Sequence, residues 1–527
     1  LIFKPEVFSN FELIRKIDFL QGKNHQELII LFSFLFIVVF AIKTFLVIFV
    51  RAFIKKFSLS RYKILQINLM NVYQNMSYED YNKKKHSEYV RNIREMSSYS
   101  MFCLESSLRV LSEIIILLSI VIFLIFIEPI PLLAISLVMI SFLSFYNFYL
   151  KPKTVSWGRK KAEATKTIYQ SIDESFKGFK EIKTLRKQQF FSTFLKKGTE
   201  IVFKNDLKSS IIMASPRYIL ELIIVIFIIS ILGLSVFING LNFDFFPIIA
   251  IFALAGLRIL PSIALISNDI LQVGFYLEGL KTIYADLKSL RKKNTDRESK
   301  QKYLNFEKIE LKNISFSYQG ISTKVLDSVD LKIENKQFVG IVGNTGSGKT
   351  TLLDMFLGLL KPTEGDILIN DKRVTGVPIS NIINIGYLPQ ENFIINDTII
   401  SNISLSYENE SINLKKIENI LIQLDLKNFI NKLPNGINSI IGEKGLKLSG
   451  GQRQKICLAR LLYHNKKIMI LDEATNALDK ESEKKVIEVL KNLKDKTIIL
   501  ISHDHNNLRF CDKIFKINNN KITILNN

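Results

Sequence analysis

The chain has 527 residues, 48% of them hydrophobic and 23% charged, with a formal net charge of +22 from 71 Lys and Arg against 49 Asp and Glu. That length points to more than one domain, and high apolar content beside abundant charge excludes a uniform globule in favour of a greasy segment joined to a soluble one. Three widely separated cysteines, Cys103, Cys457 and Cys511, exclude a disulfide framework and lack the spacing of a zinc site.

Residues 1–27 mix charges and aromatics without an apolar period; they do not resemble a signal peptide and read as an external segment. Leu28 to Val50 is almost wholly apolar and long enough to cross a bilayer, with Lys43 near one end able to snorkel. Four further spans follow at Leu108 to Ile127, Ile130 to Leu150, Tyr218 to Phe237 and Phe245 to Ser267. The short connections at Glu128-Pro129 and Asn239 to Asp244 hold no Lys or Arg, whereas 51–107 and 151–216 are strongly basic, with Arg51, Lys55, Lys56 and Arg61 in one and Arg159, Lys160 and Lys161 in the other. The positive-inside rule puts both basic stretches in the cytoplasm. Membrane topology thus explains much of the excess charge, and nucleic acid is not expected as a partner.

The basic stretches are poor in Gly and Pro and read as helices continuing beyond the bilayer, with turns near 77–86 and 177–190. With both inside, the span at 28–50 runs from outside to inside, so one earlier span is expected before Leu1, giving six in all. Glu113, Glu221 and Arg258 lie where a charge costs about 2.5–3.5 kcal/mol on insertion scales, so each is expected to face a cavity or a partner. Arg258, followed by Pro261, either lines a path for an anionic headgroup such as a phosphate or pairs with a carboxylate between helices. The transmembrane domain is accordingly read as 28–287.

Residues 288–303 are polar and charged, the composition of a linker. Beyond them, from 304 to 527, apolar runs alternate with helical patterns in the manner of an α/β nucleotide-binding domain. Phe338 to Val342 is a short apolar run leading into Gly343, Asn344, Thr345, Gly346, Ser347, Gly348, Lys349, Thr350 and Thr351, which satisfy the G-x-x-x-x-G-K-[ST] phosphate-loop spacing. Glycines let backbone N–H groups close on phosphate, the lysine adds charge, Thr350 can ligate Mg²⁺, and the following helix aims its positive end at the same anion. Ile468 to Glu473 is an apolar strand ending in two acids, of which Asp472 can hold the Mg²⁺ shell and Glu473 can polarise an attacking water. Leu448-Ser449-Gly450-Gly451-Gln452 precedes a helical run and forms a second anion cradle, which implies that two chains share each nucleotide.

These residues resemble the ATP-binding cassette (ABC) family over essentially the whole chain, and Leu448 to Gln452 matches the family's signature motif. The resemblance implies a multi-domain fold: an α-helical polytopic domain like that of a type IV exporter, five spans here with the first of six absent, then an α/β P-loop domain. It implies ATP and Mg²⁺ as ligands, with Tyr318 stacking on adenine, Gln390 in Tyr387-Leu388-Pro389-Gln390 sensing Mg²⁺ and His503 contacting the γ-phosphate. It further implies that Ser449, Gly450, Gly451 and Gln452 act on the nucleotide of a second copy, and that Asp479 belongs to the loop between the two sites. Asn476 stands where the family often has Ser, a departure that bears on contact between the sites. Membrane helices and cassette on one chain resemble bacterial exporters of the inner membrane. Segments 216–221 and 257–262 are similar to parts of the flippase for lipid-linked oligosaccharides, which implies a polyprenyl-diphosphate glycan as substrate, with a lipid or multidrug exporter as the alternative and a non-pumping membrane-anchored ATPase as a third reading.

Overall fold

The structure, a computed structural model, describes residues 25–126, 129–239, 246–294, 304–318, 320, 323–374, 379–406, 411–442, 448–502 and 508–525. By contacts the chain divides into two units, one of Leu1–Met76 with Tyr81–Thr295, the other of Ser77–Asp80 with Asp296–Asn527.

The first unit is helical. Five long helices dominate its described residues: α1 (His25–Gln74), α2 (Ser97–Ile125), α3 (Pro129–Lys177), α4 (Gln188–Asn239) and α5 (Phe246–Asn294). Short helices follow at His86–Arg91 after α1 and at Phe179–Thr184 after α3, while the short helix Tyr78–Tyr81 falls almost wholly in the stretch 77–80 assigned to the second unit. α5 packs most extensively on α2, and α3 on α4 and α5. Gly158 makes the α3–α5 approach possible, because a Cβ there would stand 1.8 Å from the Phe275 carbonyl oxygen. One core gathers Met139, Leu220, Ile224, Ile259, Leu260 and Ile263; a second gathers Leu69, Tyr73, Tyr89, Met96, Tyr99 and Ile283.

Among the described residues three segments are long and apolar enough to cross a membrane: Ser33–Gln74, Gln188–Ile226 and Ile259–Ser289. The first leaves Phe34, Phe36, Ile37 and Phe45 more than half exposed, as a face meant for hydrocarbon would. The two other sequence-predicted spans lie in α2 and α3, on either side of residues 127–128, which are outside the described residues. Helix α5 also runs on through 288–294, the start of the polar stretch read as linker. Lys, Leu and Arg are good helix formers, so polarity there does not end the helix.

Charge inside this unit is paired. Glu113 accepts from Ser262 Oγ at 2.7 Å and lies 3.8 Å from Arg51, and Glu221 pairs with Arg217 one turn away at 3.4 Å. Arg109 of α2 grips Asp269 of α5 with two bonds, Nε to Oδ2 at 2.9 Å and Nη2 to Oδ1 at 2.8 Å, while its Nη1 reaches Glu105, which also takes Lys55 at 2.9 Å. Asp269 is only 1% exposed, so a fork-to-carboxylate bond is the geometry that offsets its desolvation. Arg258 lies within α5, and its side chain is outside the described set.

The second unit is α/β. A four-stranded sheet has the order β2-β1-β4-β5, with β1 Lys308–Phe316, β2 Leu326–Glu334, β4 Glu364–Ile369 and β5 Lys372–Arg373. A six-stranded sheet has the order β12-β11-β3-β10-β9-β6, with β3 Phe338–Gly343, β6 Ile385–Leu388, β9 Ile468–Asp472, β10 Thr497–Ile501, β11 Lys513–Asn518 and β12 Lys521–Leu525. In it β11, β3, β10, β9 and β6 run parallel and β12 closes one edge antiparallel. β9 and β10 are buried throughout, as parallel strands covered on both faces require.

Candidate nucleotide site

In doubly wound sheets ligands gather outside the carboxyl ends of parallel strands, and the motif residues converge at such an edge. On β10, Ile501 stands opposite Ile341 of β3 on one side and Asp472 of β9 on the other. Two strand spacings separate those rows, so the acid pair lies about 10 Å from the strand that launches the phosphate loop.

The loop leaves β3 and enters α6 (Lys349–Phe356) through Gly348, whose φ of +99° favours glycine and where a Cβ would stand 3.1 Å from the Val325 carbonyl oxygen. Lys349 Nζ donates to the carbonyls of Gly343 at 2.7 Å and Asn344 at 3.0 Å, so the ammonium folds back over the loop's own concavity. Burial lowers its pKa, and the nearby Glu473 and Asp472 oppose that shift. Ser347 Oγ is buried in the loop without a hydrogen-bond partner, an orphan of the kind a phosphate oxygen satisfies. Tyr318 is 41% exposed, and its hydroxyl lies 3.0 Å from Thr351 Oγ1, which ties the predicted adenine platform to α6.

The Tyr387 hydroxyl donates to Asp472 Oδ2 at 3.3 Å, and burial with that carboxylate pushes the tyrosine pKa up. Glu473 has φ +52°, a left-handed backbone that non-glycine residues rarely adopt. Several bonds hold it there: Glu473 N donates to Ile501 O at 3.1 Å, and Gln454 Nε2 donates to Glu473 O at 3.1 Å. Gln390 Nε2 and Asn476 Nδ2 both donate to Glu473 Oε2, at 2.7 and 2.6 Å.

Ser449 caps α7 (Gly450–Tyr463) in a complete capping box: its Oγ accepts from Gln452 N at 3.2 Å, and its N donates to Gln452 Oε1 at 2.9 Å. Gly451 approaches the Ala477 carbonyl, which a Cβ would meet at 3.1 Å. The signature turn therefore packs on the segment just after the acid pair. Asp479 caps α8 (Lys480–Lys491), accepting from Glu481 N at 3.2 Å and Ser482 N at 2.9 Å. Those backbone bonds, Ser482's first, hold its carboxyl below the usual carboxylate range. His503 lies outside the described residues.

The donors assigned to a metal, the Thr350 hydroxyl, the Gln390 amide and the Asp472 carboxylate, are hard oxygen donors that suit Mg²⁺. No cluster of three or more His, Cys, Asp or Glu stands among the described residues.

Two residues escaped the sequence reading. Gln454, 3% exposed, bonds both the Glu473 carbonyl and, through Oε1, Ala477 N at 3.3 Å; its place two residues after the signature was the available signal. Asp354, 9% exposed on α6, has its carboxyl pushed up to about 6 by burial first and by Asp472 second.

A phosphate loop and a strand-end acid pair at one sheet edge, with a capped glycine turn packed on the segment after the acids, define a P-loop nucleotide-binding domain. Residues 326–476 match the ABC transporter family model, and this part of the chain is an ABC transporter domain. A bacterial Atm1-family ABC exporter with ATP bound superposes with TM-score 0.74 at 18% identity, covering 89% of this chain and 82% of that one, so the chain has the fold of an ABC exporter. It is 39% identical to an export ATP-binding/permease protein of Rickettsia bellii over 41% of this chain and 38% of that protein. It is 37% identical to an ATP-dependent lipid A-core flippase of Saccharophagus degradans over 48% of this chain and 43% of that protein. The chain thus spans about two fifths of the length of these curated relatives.

Proposed function

We propose that this protein is an ATP-driven exporter of a bacterial inner membrane, working as a pair of copies, with its cassette domain in the cytoplasm. The observation that carries the reading is the convergence of Lys349, Asp472, Glu473 and Gln390 at one strand edge. Lys349 and the loop N–H groups bind and orient the phosphates, and Tyr318 carries the adenine. Glu473, held by Gln390 and Asn476, takes the proton of the attacking water as its oxygen bonds the γ-phosphorus and the bond to the β–γ bridging oxygen breaks, with ADP as the leaving group and phosphate as the other product. Thr350, Gln390 and Asp472 would hold Mg²⁺, which would supply positive charge to neutralise the phosphate oxygens. Ser449 to Gln452 of the second copy complete each site, so ATP bridges the pair and hydrolysis releases the bridge. His503 is assigned to the γ-phosphate.

For the cargo we infer a lipid-linked compound, in finer detail a polyprenyl-diphosphate oligosaccharide with Arg258 along its path. A lipid A-type cargo is the second reading, favoured by the lipid A-core flippases among the relatives. Proteoliposomes test both. ATP-dependent movement of a fluorescent polyprenyl-diphosphate glycan, abolished by Lys349→Ala, supports the first; movement of a lipid A analogue without glycan movement selects the second. No ATPase activity in the purified protein overturns the exporter reading.

A further inference from the structure

We propose that Asp354 is a positioning residue of the Mg²⁺ site, its carboxylate accepting hydrogen bonds from the ion's water shell beside Asp472. This rests on the nucleotide-site reading above. Asp354 lies one helical turn beyond Thr350 on α6, and residues four apart share a helix face. It is 9% exposed, yet its carboxylate forms no hydrogen bond or ion pair among the described residues. It also lies near enough to Asp472 and to the Tyr387 hydroxyl for their charges to interact.

A buried carboxylate without a donor is costly, and a second carboxylate within electrostatic reach adds to that cost. The other acid at this edge is already committed, since Gln390 and Asn476 both donate to Glu473 Oε2. Tyr387 donates to Asp472, orienting that carboxylate but giving nothing to Asp354. A hydrated divalent cation supplies what Asp354 lacks. Mg²⁺ keeps several waters when one or two carboxylates and phosphates hold it, and groups that accept from such ligands tune metal affinity. Thr350, Gln390 and Asp472 are the direct donors in this arrangement, and Asp354 is a positioning residue one layer out.

The test uses the full chain in detergent, with wild type, Asp354→Asn, Asp354→Ser and Asp354→Glu. A trinitrophenyl-ATP probe reports nucleotide binding in EDTA, and Mn²⁺ titration followed by electron paramagnetic resonance reports metal binding with nucleotide present. Asp354→Asn should bind the probe in EDTA within about twofold of wild type, yet need about tenfold more Mn²⁺ for half-saturation, with Asp354→Glu restoring part of the loss. If Asp354→Asn no longer binds the probe in EDTA, Asp354→Ser provides the same two readouts. Wild-type Mn²⁺ affinity in whichever of these two variants still binds the probe overturns the inference while leaving the nucleotide site standing. A wild-type chain that binds the probe but takes up no Mn²⁺ with it overturns the metal reading and this inference together.

Discussion

Gln390 Nε2 donates to Glu473 Oε2 at 2.7 Å, joining the residue assigned to sense the metal to the residue assigned to activate water. A hydrogen bond to a charged group contributes about 1.5–3 kcal/mol. Gln390→Ala is therefore expected to lower the ATPase rate about 10- to 100-fold while trinitrophenyl-ATP affinity changes little. Phosphate release under saturating ATP checks this, and an unchanged rate removes the pair from the mechanism.

Asn476 holds the same carboxylate oxygen at 2.6 Å. The sequence marked Asn476 as a departure bearing on contact between sites, and the structure also gives it a partner within its own chain. Asn476→Ala should cost roughly tenfold in kcat with KM for ATP within about twofold, the pattern of an interaction realised in the transition state.

The Arg109–Asp269 pair joins α2 to α5. Removing one partner of a buried pair leaves an uncompensated charge and costs about 3–5 kcal/mol, whereas an apolar pair of similar volume is often neutral. Arg109→Leu, which leaves the buried Asp269 carboxylate unpaired, should lower the Tm of the detergent-solubilised chain markedly, and Arg109→Leu combined with Asp269→Leu should recover much of the loss. Equal Tm values for the single and double variants contradict the assignment.

Burial and Asp472 raise the Asp354 carboxyl from 3.8 to about 6. The folded metal-free chain thus binds a proton there more tightly than the unfolded chain does. Its contribution is complete below about pH 4 and is lost as pH rises through about 6. Relative to Asp354→Asn, wild type should lose thermal stability between those values in the presence of EDTA. A parallel pH profile for the two proteins contradicts the shift.

Much of the architecture was legible because its signals are local. The run before Gly343 and the run ending in Asp472-Glu473 are strands for the reason their sequences show, continuous burial between layers. The Ser449 cap follows from Ser followed three residues later by Gln, a capping-box pattern. What sequence spacing could not show are contacts across the fold. Gln454 reaches Glu473 19 residues away, and Arg109 reaches Asp269 160 residues away. Nor does composition mark Asp354, which looks like one more polar residue on a helix until the sheet edge closes over it. At 288–294 the polar, charged composition of a linker coexists with helix, because helix propensity carries α5 to Asn294.

The central claim is that each nucleotide is shared between copies. It is tested most directly by the ATPase activity of a tandem-purified mixed pair, one copy carrying Lys349→Ala and the other Ser449→Ala with Gly451→Asp. Sharing predicts that each variant alone is inactive. It also predicts that the mixed pair recovers hydrolysis, because one site then joins an intact phosphate loop to an intact signature from the other chain. A mixed pair as inactive as both parents contradicts the account.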